Sequence, residues 1–490
     1  MKIKTSRWWN YWAPVAVPAA VFLALRLYNI RQWLLANLDE VSLINNLTLP
    51  IFSGGYGSTT FFPAVQITNW FPFITTFPEF RFIGVLFNAV GLLFFYAGLR
   101  TFCSRPASCI GALLFSLHWY LVYISRIYEI ATFIPFFFSV VFYLFCRWVH
   151  GGSSRLLPAL FFIGGIGLNC YAPPMAYGLA ALWLILIYKA VTKQLSWPLF
   201  AACMLAFAVA ILPFLYVQAY VGNFFRDVLY NYNMAGATQS RILPIHLKSP
   251  SIFFKTLTEL MTFLDIEHKW QSFALPALLV IIAPFAGFPW GRTGKNTKVL
   301  VLWAYGTLAI TFISPVAAYI QGHFTGFLIL YLAVLSCALD APSAPRRWMA
   351  RGCAVALAAG SIYWMPIIQQ DQYREVAWLP SYIQKERLSS VPISDGAYLV
   401  LRHTPFLQGA RFPVFICQNA EKIRDDILQD PDRNQRLIIA TFDCNIDSAM
   451  RLLGGAILKD KKIITLPETY TANGIGFYFV EPGPQQAPHS

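Results

Sequence analysis

Apolar residues occur along this chain in long blocks rather than in the short alternating groups of a soluble domain. A helix that crosses a bilayer needs roughly 20 mostly apolar residues. The blocks predict about eleven membrane-spanning helices, at residues 11–28, 82–100, 107–124, 128–147, 156–171, 174–190, 197–221, 273–289, 299–318, 323–339 and 352–368. Composition agrees, since 57% of the 490 residues are hydrophobic and 12% are charged. We therefore predict a polytopic α-helical membrane protein.

The basic residues between these blocks predict the orientation of the spans, because cytoplasmic loops are enriched in Lys and Arg. In one set of alternate loops the basic residues recur, whereas the short loops of the other set are nearly bare; the recurring residues are Lys2, Lys4 and Arg7; Arg100 and Arg105; Arg147 and Arg155; Lys189 and Lys193; Arg292, Lys295 and Lys298; Arg346, Arg347 and Arg351. This pattern predicts a multi-pass protein of the inner (plasma) membrane with a cytoplasmic N-terminus. The net charge of +14 is scattered rather than collected in a patch, so we expect no nucleic-acid partner.

Three longer segments are then expected outside the cytoplasm. Two are outer loops, at 29–81 and 222–272, of a membrane domain that spans residues 1–369. The third is a separate domain at 370–490, in which β-rich runs such as "RLIIATF" alternate with helix-like pieces. It reads as a small α/β domain, flavodoxin-like in plan, and it has no Gly-rich phosphate loop, so no cofactor is assigned to it. Cys417 and Cys444 lie in this tail, and the sequence leaves open whether they form a disulfide.

Two carboxylates, Asp39 and Glu40 in "NLDEVSL", follow the first predicted span closely in a chain with only 23 acidic residues. They are either a solvated loop pair or part of a site at the membrane face. Arg126 and Glu129, in "ISRIYEIATF", stand three apart and share one face of a helix. They are either a local ion pair or a functional site, because ionisable groups at membrane depth are costly and often functional.

Three further polar side chains lie at the outer end of a predicted span or just outside one. His268 and Lys269, in "DIEHKWQ", either reach the interface beside Trp270 or hold a phosphate. His323, in "YIQGHFTGF", presents the same choice. His118, in "FSLHWYL", is expected inside an apolar helix with a structural role. The sequence has no HExxH, GxSxG or Walker motif, so protease, serine-hydrolase and ATPase functions lack support.

Several stretches together resemble a known family over about residues 10–340. They are "LRLYNIRQWLLANLDE", "LFSLHWYLVYISRIYEIATFIPFF", "GLNCYAPPMAYGLAAL", "FLDIEHKWQSFALPALLVIIAPFAGF" and "GHFTGFLILYL", in that order. The pattern is similar to the GT-C glycosyltransferases, among them protein O-mannosyltransferases and lipid A aminoarabinose transferase. Two positions depart from it: His323 and Phe324 stand where many relatives have Arg and Tyr, and "APPM" follows Tyr171 in place of a basic residue.

The resemblance implies transfer of a sugar from a polyprenyl-phosphate donor to an extracytoplasmic lipid, glycan or protein, by inverting single displacement. Asp39 would be the general base, and Glu40 or Glu129 would orient acceptor or sugar. The residues expected to contact the donor and its leaving phosphate are Arg126, Tyr171, His268, Lys269 and His323. Carboxylates near a phosphate can also bind a divalent cation, although no ligand spacing requires one. The alternatives are a lipid-linked sugar flippase or other transporter, and a membrane scaffold whose tail binds a partner.

Overall fold

The computed structural model of the protein describes residues 11–28, 30, 77–128, 130–220, 295–313 and 321–369, five single positions between 253 and 261, and the strands at 437–442, 461–465 and 475–482. The chain divides into two compact units. One is helical and comprises Met1–Ile30 and Leu43–Gln369, and the other comprises Arg31–Ser42 and Gln370–Ser490, with the described strands. The predicted domain boundary at residue 370 stays a prediction.

The described helices of the first unit are mostly long and apolar. We number them α1 (Ala16–Leu27), α2 (Phe77–Phe102), α3 (Arg105–Leu117), α4 (Trp119–Arg126), α5 (Ile134–Val149), α6 (Leu156–Cys170), α7 (Ala172–Val191), α8 (Trp197–Ala210), α9 (Leu212–Tyr220), α10 (Lys295–Ile313), α11 (Thr325–Leu339) and α12 (Ala344–Gln369). Short 3-10 helices precede α1, α5 and α11, at Ala13–Val15, Ile130–Phe133 and Gln321–Phe324.

These helices confirm a helical membrane protein with several apolar spans. Described helices occupy ten of the eleven predicted segments, and 273–289 lies outside the described residues. Within the described ranges, four helices are individually long and apolar enough to cross a bilayer, or five if α3 and α4 form one bent span. The total number of spans stays a prediction. Helix α2 begins at Phe77, before the predicted start at residue 82. The predicted start is too late because Glu79 and Arg81, in the first turns of the helix, interrupt the apolar pattern.

Helix α11 lies at the centre of the bundle and is almost entirely buried. Its neighbours include α3, α5, α7, α10 and α12. Phe138 of α5 fits between two glycines: a Cβ on Gly178 or Gly326 would stand 2.5 or 2.6 Å from the ring. Trp303 of α10 stacks on Phe138 at 5.6 Å and donates its indole N–H to the carbonyl of Gly178 at 2.9 Å. Through these contacts α5, α7, α10 and α11 pack tightly against one another.

The segment predicted as one span at 107–124 is two helices, α3 and α4, that meet at His118 with a bend of 55°. His118 is therefore at a break and not inside a helix, which corrects its predicted environment. The break exposes backbone groups that other helices satisfy. Arg26 of α1 donates to the carbonyl of Ser116 at 2.8 Å, and the N–H of Trp119 donates to the hydroxyl of Ser361 at 3.3 Å.

In the second unit the structure describes a three-stranded antiparallel sheet, with β1 (Leu437–Phe442), β2 (Lys461–Thr465) and β3 (Ile475–Pro482) in the order β1-β3-β2. Leu437 pairs with Val480, and Ile463 pairs with the same residue from the other side. A flavodoxin-like plan requires parallel strands, so that plan is wrong for these three. Period and composition identify strands but not their direction. The α/β nature of the domain as a whole stays a prediction.

Candidate functional site

Three arginines lie at one end of the helical bundle, which we call the arginine end. Arg26 is next to the last residue of α1, Arg81 is in the second turn of α2, and Arg126 ends α4. All three side chains are fully buried. The guanidinium of Arg126 is near enough to both of the others for their charges to repel. Burying cations together is costly, so this end of the bundle is built to face negative charge or carbonyl oxygens.

Arg126 binds the end of α1. Its Nη1 donates to the carbonyl of Leu25 at 3.0 Å, and its Nη2 donates to the carbonyl of Tyr28 at 2.8 Å. The last carbonyls of a helix have no partner within that helix. Tyr28 is the C-cap of α1, so Arg126 satisfies carbonyls at the point where the chain leaves the helix.

Arg26 ties α1 to the break between α3 and α4. Its Nη1 donates to the carbonyls of Ser116 and Phe22, at 2.8 and 3.4 Å, and its guanidinium carbon lies 3.6 Å from the centre of the Phe22 ring. Sequence reasoning missed Arg26 and Arg81. A signal for Arg26 was present, because an arginine inside the apolar run "VFLALRLY" is itself unusual.

The chain around position 129 is fixed against α2. Asn88 donates its side-chain amide to the carbonyls of Gly84 and Thr132, at 2.9 and 2.8 Å. Thr132 in turn donates its hydroxyl to the carbonyl of Ile127 at 2.9 Å. A Cβ on Gly84 would stand only 2.7 Å from the methyl group of Thr132, so only glycine permits this approach. Glu129 itself lies outside the described residues, but the residues that precede and follow it are held by α2.

A second cluster, which we call the tyrosine–histidine cluster, surrounds Gly322. The ring of His323 lies 5.9 Å from that of Tyr171 and 6.3 Å from that of Tyr177. A Cβ on Gly322 would stand 3.3 Å from the hydroxyl of Tyr120 and from the Tyr171 ring. The structure thus brings together Tyr171 and His323, two of the residues that the sequence analysis selected. Helix α4 carries Tyr120 near its start and Arg126 at its end, so it connects this cluster to the arginine end.

Asp39, Glu40, Glu129, His268 and Lys269 lie outside the described residues, so their roles stay predictions. Within the described ranges, no group of three or more His, Cys, Asp and Glu side chains could hold a metal ion. The described residues offer buried positive charge at the arginine end and tyrosine and histidine rings in a second cluster. Arginine suits an anionic group such as a phosphate.

Comparison with known proteins identifies the fold. No family model matches the sequence, and no curated protein matches it. The crystal structure of ArnT from Cupriavidus metallidurans in the apo state is similar, with a TM-score of 0.56 at 12% identity over 94% of this chain and 97% of that one. ArnT from the same organism bound to undecaprenyl phosphate has a TM-score of 0.52 at 13% identity, over 95% and 97%.

An archaeal oligosaccharyltransferase from Archaeoglobus fulgidus, in the apo form, gives a TM-score of 0.49 at 12% identity, over 93% of this chain and 70% of that one. The fold assignment rests on the two ArnT structures, and ArnT is a GT-C membrane glycosyltransferase. The chain therefore has a GT-C-like membrane fold, and the expected resemblance is confirmed at the level of structure.

Proposed function

We propose that this protein is a glycosyltransferase that moves a sugar from a polyprenyl-phosphate donor to an extracytoplasmic acceptor, which is a lipid, a glycan or a protein. The similarity to ArnT over nearly the whole chain supports the class of reaction, and one of the ArnT structures is bound to undecaprenyl phosphate. In this proposal the arginine end faces the outside of the membrane, in line with the orientation that the positive-inside pattern predicts.

In this proposal Asp39 is the general base. It accepts the proton of the acceptor hydroxyl or amine as that group attacks the anomeric carbon, while the bond from that carbon to the phosphate oxygen breaks. Attack from the face opposite the leaving group inverts the anomeric centre. Glu40 or Glu129 orients acceptor or sugar. Arg126, His268, Lys269 and His323 stabilise the departing phosphate, and Tyr171 contacts the donor beside His323.

The observation that carries the proposal is the charge imbalance at the arginine end. Three guanidiniums are buried there, whereas Glu79 and Asp340 are the only acidic residues among the described positions of the helical unit. Asp340 is at the other end, where Ser104 donates to it from its backbone N–H and its hydroxyl. Buried cations are stabilised by carbonyl oxygens and by negative charge, so this end of the bundle suits anionic groups. The carboxylates of Asp39, Glu40 and Glu129 and the phosphate of a donor are the groups that the proposal supplies.

The test is transfer from a panel of radiolabelled polyprenyl-phosphate sugars to membrane lipid and protein fractions, with the purified full-length protein. Asp39→Asn should abolish transfer without changing the melting temperature, because the substitution removes a base and no apolar packing. Asp340→Asn is the matched control at the opposite end of the bundle, and it should retain transfer. If the wild-type protein consumes no donor while correctly folded, the proposal is wrong; equal activity of Asp39→Asn and the wild type would refute the role of Asp39.

A further inference from the structure

We infer that Cys103 and Cys337 are a redox-modification site, at which a hydroperoxide converts the two thiols into a disulfide. The inference does not depend on the proposed transfer reaction. Cys103 lies in the short link between α2 and α3, and Cys337 lies in the last turn of α11. Their sulfur atoms are 3.3 Å apart, although 234 positions separate the two residues in the sequence. The fold therefore brings two free thiols into direct contact.

The backbone around this contact is held on both sides. The N–H of Cys103 donates to the carbonyl of Leu99 at 2.8 Å, and Arg100 donates to the carbonyl of Cys103 at 3.0 Å. The next residue, Ser104, donates its backbone N–H and its hydroxyl to the carboxylate of Asp340, just after α11. A disulfide requires the two sulfur atoms to approach to about 2.0 Å. Rotation about the Cα–Cβ bonds moves the sulfur atoms without moving the helices, so the existing packing can be kept.

The two thiols differ in their access to a reagent. Cys337 is half-buried, whereas Cys103 is buried, with 6% of its surface exposed. The hydrogen bond with Cys337 and burial raise the pKa of the Cys103 thiol well above its usual range, so Cys103 keeps its proton. Cys337 is therefore the sulfur that meets the oxidant first, and Cys103 is the thiol that reacts with the oxidised product.

The oxidation proceeds in two steps. The Cys337 sulfur attacks an oxygen of the hydroperoxide, the O–O bond breaks, and the thiol proton passes to the departing oxygen; the products are a sulfenic acid and an alcohol, or water if the oxidant is hydrogen peroxide. The Cys103 sulfur then attacks the Cys337 sulfur, the S–OH bond breaks, and the Cys103 proton leaves with the hydroxide as water. Two thiols are oxidised and one peroxide is reduced, so no other reactant is required.

The disulfide joins the end of α11, the central helix of the bundle, to the link between α2 and α3. A crosslink that closes so long a loop lowers the entropy of the unfolded chain, so oxidation should stabilise the folded bundle. In the predicted orientation this end of the bundle faces the cytoplasm, where thiols are kept reduced and disulfides are transient. The modification is therefore expected to be reversible.

The experiment treats the purified full-length protein in detergent with hydrogen peroxide, alkylates the remaining thiols and maps linked peptides by mass spectrometry. The wild type should yield two peptides joined through Cys103 and Cys337, which a dithiol reductant separates. Cys103→Ser and Cys337→Ser should each abolish this product. Cys109→Ser is the matched control and should keep it, because Cys109 is half-buried like Cys337 but its sulfur contacts the carbonyl of Pro14 at 3.5 Å.

A second measurement compares melting temperatures before and after oxidation. The wild type should gain about 5 °C or more, and Cys337→Ser should gain nothing from this crosslink. Any other disulfide of the chain can form in both proteins, so the difference between them reports the Cys103–Cys337 bond alone.

Three results would overturn the inference. The first is recovery of Cys337 as a free thiol, or as a sulfinic acid without a crosslink, from oxidised and folded wild-type protein. The second is a disulfide from Cys337 to any other cysteine. The third is an equal change of melting temperature in the wild type and Cys337→Ser. The peptide map of the wild type decides the question by itself if the serine variants do not fold.

Discussion

Asn88→Leu tests whether the contact between α2 and the segment around position 129 matters for both folding and catalysis. Leucine keeps the number and branching of the side-chain heavy atoms of asparagine, with a somewhat larger volume, while the side-chain donor is lost. The bond to Thr132 is the one that joins two parts of the fold, at 2.8 Å. Hydrogen bonds between membrane helices contribute on average about 0.6 kcal/mol. A buried carbonyl that loses its donor costs about 1–3 kcal/mol, so we expect a total destabilisation of about 1–3 kcal/mol.

The assay pairs this variant with Asn169→Leu. Asn169 makes the same two kinds of bond, to Gly165 in its own helix and to Ala210 of α8, at 2.8 and 2.9 Å. Both variants should lower the melting temperature in detergent by similar amounts, because the lost bonds are equivalent. Asn88→Leu should also lower kcat, by about tenfold or more, since Asn88 holds the chain on either side of Glu129. An unchanged kcat in a folded Asn88→Leu protein would refute the link between this contact and the site.

Two further substitutions test the core and the tyrosine–histidine cluster. Trp303→Ala should destabilise the bundle by about 3–5 kcal/mol, because it removes the stacking on Phe138 and the hydrogen bond to Gly178. The decrease in melting temperature measures this loss, and a decrease no larger than that of Asn88→Leu would contradict the prediction. Gly322→Val should reduce transfer severely in a folded protein, because its side chain would displace Tyr120 and Tyr171. Gly352→Val, which meets nothing within 4 Å, is the control and should retain activity; equal activity of the two variants would exclude a role for the cluster.

Much of the helical unit could be predicted from sequence because lipid imposes a simple rule: backbone groups must be paired within helices, and the side chains must be apolar over a length set by the bilayer. The rule failed where polar residues stand inside a helix. Glu79 and Arg81 lie in the first turns of α2, and because they are charged the pattern predicts a loop there. The hydropathy pattern does not reveal Arg26, because a single arginine hardly changes the mean hydropathy of the apolar block around it.

The break at His118 could not be predicted, because its causes are distant in sequence. The stretch "SLHWY" contains neither proline nor glycine, the residues that usually break a helix. The backbone groups freed by the break are paired with Arg26, 90 residues away, and with Ser361, 242 residues away from Trp119.

In the candidate site, residue types were the only signal for Tyr171 and His323. Their contact depends on how α6, α7 and α11 pack, which no local pattern encodes.

The distribution of charge within the described helices also bears on the alternative function, transport of a lipid-linked sugar. Transporters that couple to ions place ionisable groups near the middle of the bilayer, where substrate passes. Here the two described acidic residues of the helical unit stand at helix ends, Glu79 in the first turn of α2 and Asp340 just after α11. The buried guanidiniums are likewise gathered at one end rather than spread along a path. A one-sided arrangement suits a reaction at one membrane face, whereas transport across the bilayer would require matching groups at both ends. A flipping assay with a fluorescent lipid-linked sugar in vesicles should therefore show no movement beyond protein-free controls, and movement that depends on Arg26 or Arg81 would favour transport instead.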